Sequence, residues 1–470
     1  MMQEDDAPAA GRARGWPRTA AAVASVIVLG AGLFASTELH GIPSQHATRQ
    51  ASSGAAIGAE IALADDPPPG RVRMPYPDSA STLPPGSPFV AAFKGSPESR
   101  LIGIYQAIGE QKTDIAIDAA ASLVHDVPGF RLAQLVYGDL LSARMGNSPR
   151  FTTPPPDAPP AEKTELAQLH DEAVARLQAL QERPPAGEVP AEFILLPRAV
   201  HHAIAVDTSR QRLYLFENGP QGMRLVSDHY VSVGKQGVGK EVKGDQRTPL
   251  GVYFVSDRMA NGALAPEFGS GAMELNYPNL FDKINGRTGS GIYLHGVPFN
   301  TYSRPPRDSD GCITLANADL TMLMNTVPLH DTPVIVTRKL HWVPSDATAV
   351  HRAEILDAIN HWQSVRAADD RAGLAAFYEP GAEPPVPLAP PEPVRPAFVV
   401  VKGKRRALPP APRQPIVFDD LSVLTWSDAK ETMVVTFHEH AGHSGRERVL
   451  RQYWERDRDQ WKIMAEGTVR

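Results

Sequence analysis

The spacing of apolar positions changes character several times along the chain, and each change predicts a different kind of segment. Thr19 to Ser36 is an uncharged run of mostly Ala, Val, Ile, Leu, Gly and Phe just after Arg12, Arg14 and Arg18. Its eighteen residues lie near the ~20 that span a bilayer and also fit a long signal-peptide core, with Leu33-Phe34-Ala35 as a mediocre cleavage site. A basic flank ahead of an apolar run holds the N-terminus in the cytoplasm. Residues 1–40 are therefore expected to be a cytoplasmic stub followed by a signal peptide or a retained inner-membrane anchor. The remainder is expected to be periplasmic or otherwise extracytoplasmic, secreted or tethered. Residues 41–96 are small, polar and studded with proline (Pro67-Pro68-Pro69, Pro84-Pro85, Pro88), a composition that buries too little apolar area to order itself, so they are read as a disordered linker.

Between Arg100 and Met145 the apolar positions follow a period near 3.6: Leu101, Ile104, Tyr105 and Ile108, then Ile115, Ala119 and Leu123, then Leu132, Leu135, Val136 and Leu140. That predicts three amphipathic helices. The Val127-Pro128-Gly129 break before Phe130 resembles the turn of a tetratricopeptide-like unit, although no second copy is visible. With a further charged helix from Ala161 to Arg183, bounded by proline runs, a helical module is expected over 97–190.

From Glu192 the pattern becomes that of strands: Ala203 to Val206, Arg212 to Phe216, Leu225 to Val233 and Gly251 to Val255, separated by Gly, Asn, Asp or Pro. A mainly β domain is expected over 195–338, its first strands an antiparallel meander with a turn at Asp207 to Gln211. After Ser345 a helix through Ile355, Ile359, Trp362 and Val365 precedes late strands at Met433 to His438, Arg448 to Trp454 and Trp461 to Ala465. This order resembles the NTF2-like α+β fold over 346–470, interrupted by twelve prolines between Pro380 and Pro415. The whole is thus a multidomain chain.

Composition narrows the chemistry. At 470 residues with 47 Lys+Arg against 53 Asp+Glu, the chain is near neutral and lacks a basic block long enough to neutralise a row of phosphates, so nucleic acid is not expected as a partner. The only cysteine, Cys312, excludes an intrachain disulfide. It stands in Ser309-Asp310-Gly311-Cys312-Ile313-Thr314, sixteen residues beyond Tyr293-Leu294-His295-Gly296. A nucleophilic thiol needs a base to raise its thiolate fraction and donors aimed at the oxyanion it creates; His295 and the Gly311 and Cys312 amides are the candidates.

Around this pair the motifs Val233-Gly234-Lys235, Lys243-Gly244-Asp245-Gln246-Arg247-Thr248-Pro249, Leu275-Asn276-Tyr277-Pro278-Asn279, His295-Gly296 and Ser309-x-Gly311-Cys312 follow one another in an order that resembles the L,D-transpeptidase catalytic domain of the YkuD type, with Asn-Tyr-Pro-Asn and Ser-x-Gly-Cys most similar to its YafK-like branch. The resemblance implies Cys312 as nucleophile, His295 as base, the carbonyl of Gly296 as its orienting group, and Gly311 and Cys312 as oxyanion hole. It also implies a Cys–His ion pair, which a close, unpaired Asp310 would oppose. Many relatives carry His at the place of Asp310 and Arg or Asn at that of Thr314. Arg247, Tyr277, Ser309, Asp310 and Thr314 are the candidate substrate contacts. The implied reaction is acyl transfer on peptidoglycan stem peptides through a thioester at meso-diaminopimelate. The alternatives are hydrolysis of peptide or lipoprotein links by the same residues and a non-catalytic wall-binding scaffold. No metal or cofactor is implied; wall-attached proteins or other wall enzymes are candidate partners of the helical module.

Three further signals are set aside at this level. Gly234 to Lys240 fits seven positions of a phosphate-binding loop, but Glu241 stands where Ser or Thr is required. His438-Glu439-His440-Ala441-Gly442-His443 looks metal-rich, with His438 and His440 on one strand face, but misses the zincin spacing; it is read as a solvated hairpin turn at Ala441 to Gly445, with a zinc site as the alternative. Lys402 to Arg406 is read as a solvated basic loop, with weak contact to anionic wall polymer or membrane as the alternative.

Overall fold

A computed structural model describes residues 90–146, 156–260, 262, 264–344, 349–368, 370–382, 398–401, 404–407, 416–441, 447–458 and 460–469. The apolar segment 19–36, most of the linker and most of the proline-rich insertion lie outside the described residues. Among the described residues no helix is long and apolar enough to cross a membrane.

The chain forms two compact units, one ending at Asp126 but taking in 136–153, the other comprising 127–135 and everything from Pro154 onward. The first holds α1 (Val90–Phe93), α2 (Pro97–Gly109) and α3 (Thr113–Asp126). Ser96 caps α2, its Oγ accepting the Ser99 N–H at 3.2 Å, with Pro97 in the first turn where its missing N–H costs nothing. Arg100 ties α2 to α3 through Asp126 at 2.8 Å and Ser122 at 3.0 Å. α1 falls inside the expected linker. Its Ala92 is fully buried against Gly103, where a Cβ would come within 2.7 Å of the Ala92 backbone; one turn of helix is too short to show a period in the sequence. The third expected helix, α4 (Arg131–Arg144), begins in the second unit and ends in the first.

The expected helical module is therefore divided. α5 (Pro160–Gln181) belongs to the second unit, where the Arg176 guanidinium lies 3.9 Å above the Tyr230 ring and Glu172 Oε1 accepts hydrogen bonds from Arg176 and from Ser303 Oγ. Phe130 packs on Tyr302 with ring centroids 4.3 Å apart.

After β1 (Glu188–Pro190), which pairs with β13 (Trp342–Pro344), and β2 (Phe193–Leu195), the chain builds a curled eight-stranded mixed sheet, with the short helix α6 (Leu280–Ile284) after its strand Gly271–Leu275. In chain order its strands are β3 (His202–Asp207), β4 (Arg212–Gly219), β5 (Gly222–Tyr230), β7 (Gly251–Ala260), β8 (Gly271–Leu275), β9 (Tyr293–His295), β11 (Ile313–Thr314) and β12 (Pro333–Thr337); β6 (Val233–Gly234) and β10 (Arg307–Ser309) pair separately, in parallel. The spatial order is β11-β9-β8-β7-β12-β3-β4-β5. The meander holds for β3 to β5, and Asp207 Oδ1 makes the first turn by accepting the Ser209 and Arg210 amides. Beyond it β7 lies antiparallel to β12, and β12 joins the sheet parallel to β3. β3 is buried on both faces. Ile204 and Val206 enter a core with Tyr253, Leu294 and Ile313; Ala203 and Ala205 enter a second with Tyr214, Phe216, Leu424, Trp426 and Tyr453. Two-sided burial accounts for the continuous apolar runs of these strands.

That second core joins the sheet to the C-terminal segment. There α8 (Ala349–Ala367) packs Ile355, Ile359 and Trp362 beneath the sheet of β16 (Ile416–Ser427), β17 (Glu431–Ala441), β18 (Glu447–Asp457) and β19 (Gln460–Val469). β2 completes this sheet as a fifth strand beside β16. The expected boundary near 195 therefore cuts between an edge strand and its own sheet. β14 (Phe398–Val401) pairs with β15 (Lys404–Ala407), so the described part of the basic segment is strand and not loop.

Candidate active site

Backbone pairing brings the two reactive residues together. β11 runs parallel to β9 with Ile313 opposite Leu294 and Thr314 opposite His295, which sets Cys312, one residue earlier, beside Tyr293. The turn into β11 requires glycine: Gly311 has φ +126°, and a Cβ there would lie 2.8 Å from the Arg247 carbonyl oxygen. Ser309 braces the turn, its buried Oγ accepting the Gly311 N–H at 3.2 Å and donating to the Cys312 carbonyl at 2.6 Å.

His295 is buried at the end of β9, and its Nδ1 lies 2.7 Å from the Gly296 carbonyl oxygen. That contact requires a proton on Nδ1 and leaves the lone pair on Nε2. Burial pushes the imidazole down to about 4, against a smaller opposing effect of the Gly296 carbonyl and with Arg304 reinforcing the shift. Burial likewise pushes the Cys312 thiol up, opposed by the Tyr293 amide and, more weakly, by Arg304 and Lys240. The half-buried thiol directs its hydrogen bond to the Gly291 carbonyl at 3.5 Å; among the described residues none links it to His295. Both shifts favour the uncharged forms, against the ion pair that the resemblance implies. Asp310 raises the thiol only secondarily and is not unpaired: its Oδ1 accepts from Lys235 Nζ at 3.1 Å and Gln246 Nε2 at 3.0 Å.

The other expected contacts divide. Arg247 is exposed beside the Cys312 turn and lines a groove with Lys240, Glu241, Arg287 and Arg338, its Nη1 donating to the Val238 carbonyl. Tyr277 is 5% exposed, lies in the domain core and donates to the Thr288 carbonyl at 3.1 Å, so it packs the interior and does not wall a substrate site. Ser309 is taken up by the turn, and Thr314 is buried in β11 with its backbone bonded to Ser232. Of the two expected oxyanion donors, the Gly311 amide already serves Ser309; the Cys312 amide meets no protein acceptor among the described residues.

Three positioning residues escaped the motif reading. Asn317, first residue of α7 (Asn317–Thr326), holds the strand end that carries His295: its Oδ1 accepts the Ser270 and Val297 amides and its Nδ2 donates to the Val297 carbonyl at 2.8 Å. A Cβ on Gly296 would lie 2.2 Å from that Oδ1. Phe268 covers the His295 ring with centroids 4.8 Å apart. Arg304 acts electrostatically on both His295 and Cys312. None belongs to a local pattern, because each meets the site only through the fold. The glycine loop 234–240 leads into turns and a bridge between Val238 and Thr248, with no helix to face a phosphate.

The chain shows structural similarity to Bd1075 of Bdellovibrio bacteriovorus, at 20% identity and TM-score 0.47 over 60% of this chain and 98% of that one. It is also similar to the helical cell shape determining protein Pgp2 of Campylobacter jejuni, at 17% identity and TM-score 0.44 over 63% and 99% of the two chains. No curated protein sequence matches it significantly. Residues 201–336 match the family profile of the YkuD L,D-transpeptidase catalytic domain. Residues 201–336, where a glycine-turned cysteine is set beside a buried histidine at the edge of a curled sheet, are an L,D-transpeptidase catalytic domain of the YkuD type.

Proposed function

We propose that this protein is a peptidoglycan L,D-transpeptidase in which Cys312 attacks the carbonyl of meso-diaminopimelate in a stem peptide. The observation that carries the reading is the buried His295, held by the Gly296 carbonyl, its Nε2 without a hydrogen bond among the described residues and its imidazole neutral at pH 7, next to the Cys312 turn. In the first half-reaction Nε2 takes the thiol proton as sulfur bonds to the acyl carbon. The Cys312 amide is the donor placed for the oxyanion. The intermediate collapses by expelling the D-Ala amine, which takes its proton from His295, and a thioester remains. An acceptor amine then gives up a proton to His295, attacks the thioester and releases the thiol. Arg247, beside the turn and exposed, is the residue proposed to hold a stem-peptide carboxylate.

The proposed location is extracytoplasmic, supported by the cell-wall substrate of the family and the basic flank before the apolar segment 19–36. The C-terminal helix and long antiparallel strands are proposed to be an NTF2-like domain, and the first unit a small interaction module for wall proteins. Incubating the protein with disaccharide tetrapeptide and separating the products tests the reading. Cys312-dependent dimers are expected. Shortened stems without dimers, even when acceptor amine is supplied in excess, would replace transpeptidation by hydrolysis at the same residues.

A further inference from the structure

The face of the C-terminal sheet that covers the transpeptidase domain changes character at one end. Along β17, Val434 lies in the shared core, and Thr436 receives a hydrogen bond from Arg451, whose guanidinium lies 3.4 Å over the Phe254 ring. Next on that face, with the period of two of a strand, come His438 and His440, both half-buried. On the neighbouring strands Asp419 pairs with His438 and Glu447 with His440. Directly paired residues share a face, so two imidazoles and two carboxylates from three adjacent strands gather where the apolar contact stops.

Their spacing is that of a coordination shell. One donor atom each from Asp419, His438 and His440 lie within 4.8 Å of one another. His440 Nε2 is 2.9 Å from Asp419 Oδ1, a separation two ligands of one ion can share. His438 Nδ1 is 2.6 Å from Glu447 Oε1, which leaves Nε2 as its donor to an ion. A carboxylate gripping the far nitrogen of a ligating histidine fixes its ring orientation and raises its basicity. Two pairs unrelated to a metal would need no third donor within reach, whereas here Asp419 of β16 and both histidines of β17 bring donor atoms together.

We infer that Asp419, His438 and His440 form a site for a divalent transition ion of the zinc class, oriented by Glu447 and pinning β16 to β17. The donor set decides the class: imidazole and carboxylate without thiolate suit zinc, cobalt or nickel, while magnesium and calcium favour shells of oxygen. Three protein ligands leave the fourth tetrahedral position to water. The sequence spacing hides the site because Asp419 comes from another strand.

The test uses the full chain with any affinity tag removed, in a Cys312→Ala background so that the catalytic thiol cannot take the ion. After chelation and dialysis, zinc is titrated calorimetrically and cobalt by its visible absorption. The expected result is one equivalent bound, with cobalt showing a tetrahedral spectrum. His438→Ala with His440→Ala is expected to abolish binding, and Glu447→Gln, which keeps every ligand, to weaken it about 10–100-fold. Circular dichroism of the metal-free variants shows that they fold. Absence of stoichiometric binding, or equal binding by the double variant, overturns the site and leaves two histidine–carboxylate pairs.

Discussion

At the residue scale burial favours the uncharged form of both His295 and Cys312. His295 has its folded value depressed to about 4 from 6.5, and the thiol is raised, so at neutral pH the difference spectrum of wild type against Cys312→Ala is expected to lack the ultraviolet thiolate band. A band present at pH 7 would restore the ion pair. The same depression links pH to stability. The native state refuses a proton that the unfolded state accepts, so the stability is present above pH 6.5 and is lost as pH falls toward about 4. Wild type is therefore expected to lose about 3 kcal/mol more than His295→Gln over that window, read from urea midpoints. Tyr277→Phe removes only the bond to the Thr288 carbonyl. It is expected to cost about 1 kcal/mol of stability and to leave turnover intact; a lost KM for stem peptide would put Tyr277 back in the substrate wall. Cys312, His295 and Gly296 are named through the family's ordered motifs, and the fold brings the Gly296 carbonyl to His295 Nδ1 at 2.7 Å. Tyr277 misled because an aromatic residue in a family motif does not reveal whether its ring faces a cleft or a core.

At the element scale the strand ends are what hold the reactive groups, and two of them depend on one residue each. Gly311→Ala places a side chain at φ +126° and against the Arg247 carbonyl, a strain on the order of 1–3 kcal/mol. Asn317→Ala releases the Ser270 and Val297 backbone from its bracket; a displacement of ~1 Å at His295 costs about 10²-fold in rate. Its expected signature is a fall in kcat with KM for stem peptide little changed, whereas an equal loss in both with a lowered Tm would mark Asn317 as structural only. The helices ahead of the central domain and four of its strands, β3, β4, β5 and β7, are legible in the sequence, since period 3.6 and period 2 are set by local burial, whereas β8 to β12 are not among the expected strands. β16 was missed, following directly on the prolines. The pairing of β7 with β12 is not legible, because partners far apart in sequence leave no local mark.

At the scale of the whole molecule, the transpeptidase sheet and the C-terminal sheet form one folding unit through a common core. Tyr214, Phe216 and Phe254 on one side meet Leu424, Trp426 and Tyr453 on the other, and Phe281 packs against both Trp426 and Tyr453. A chain cut after Val336 exposes this face and loses the partner sheet of β2. It is expected to aggregate or to exchange its β3 and β4 amides orders of magnitude faster than the intact protein, read by hydrogen exchange; full protection in the fragment would show that the domains fold separately. Composition could not reveal this union, since each segment reads as a plausible domain alone. The central claim is the acyl-enzyme, and intact-protein mass spectrometry after rapid denaturation of the enzyme with disaccharide tetrapeptide tests it most directly. The account predicts an adduct of the stem peptide less D-Ala, mapped to Cys312, absent in Cys312→Ala and much reduced in His295→Gln; an adduct at another residue, or products formed undiminished by Cys312→Ala, would contradict it.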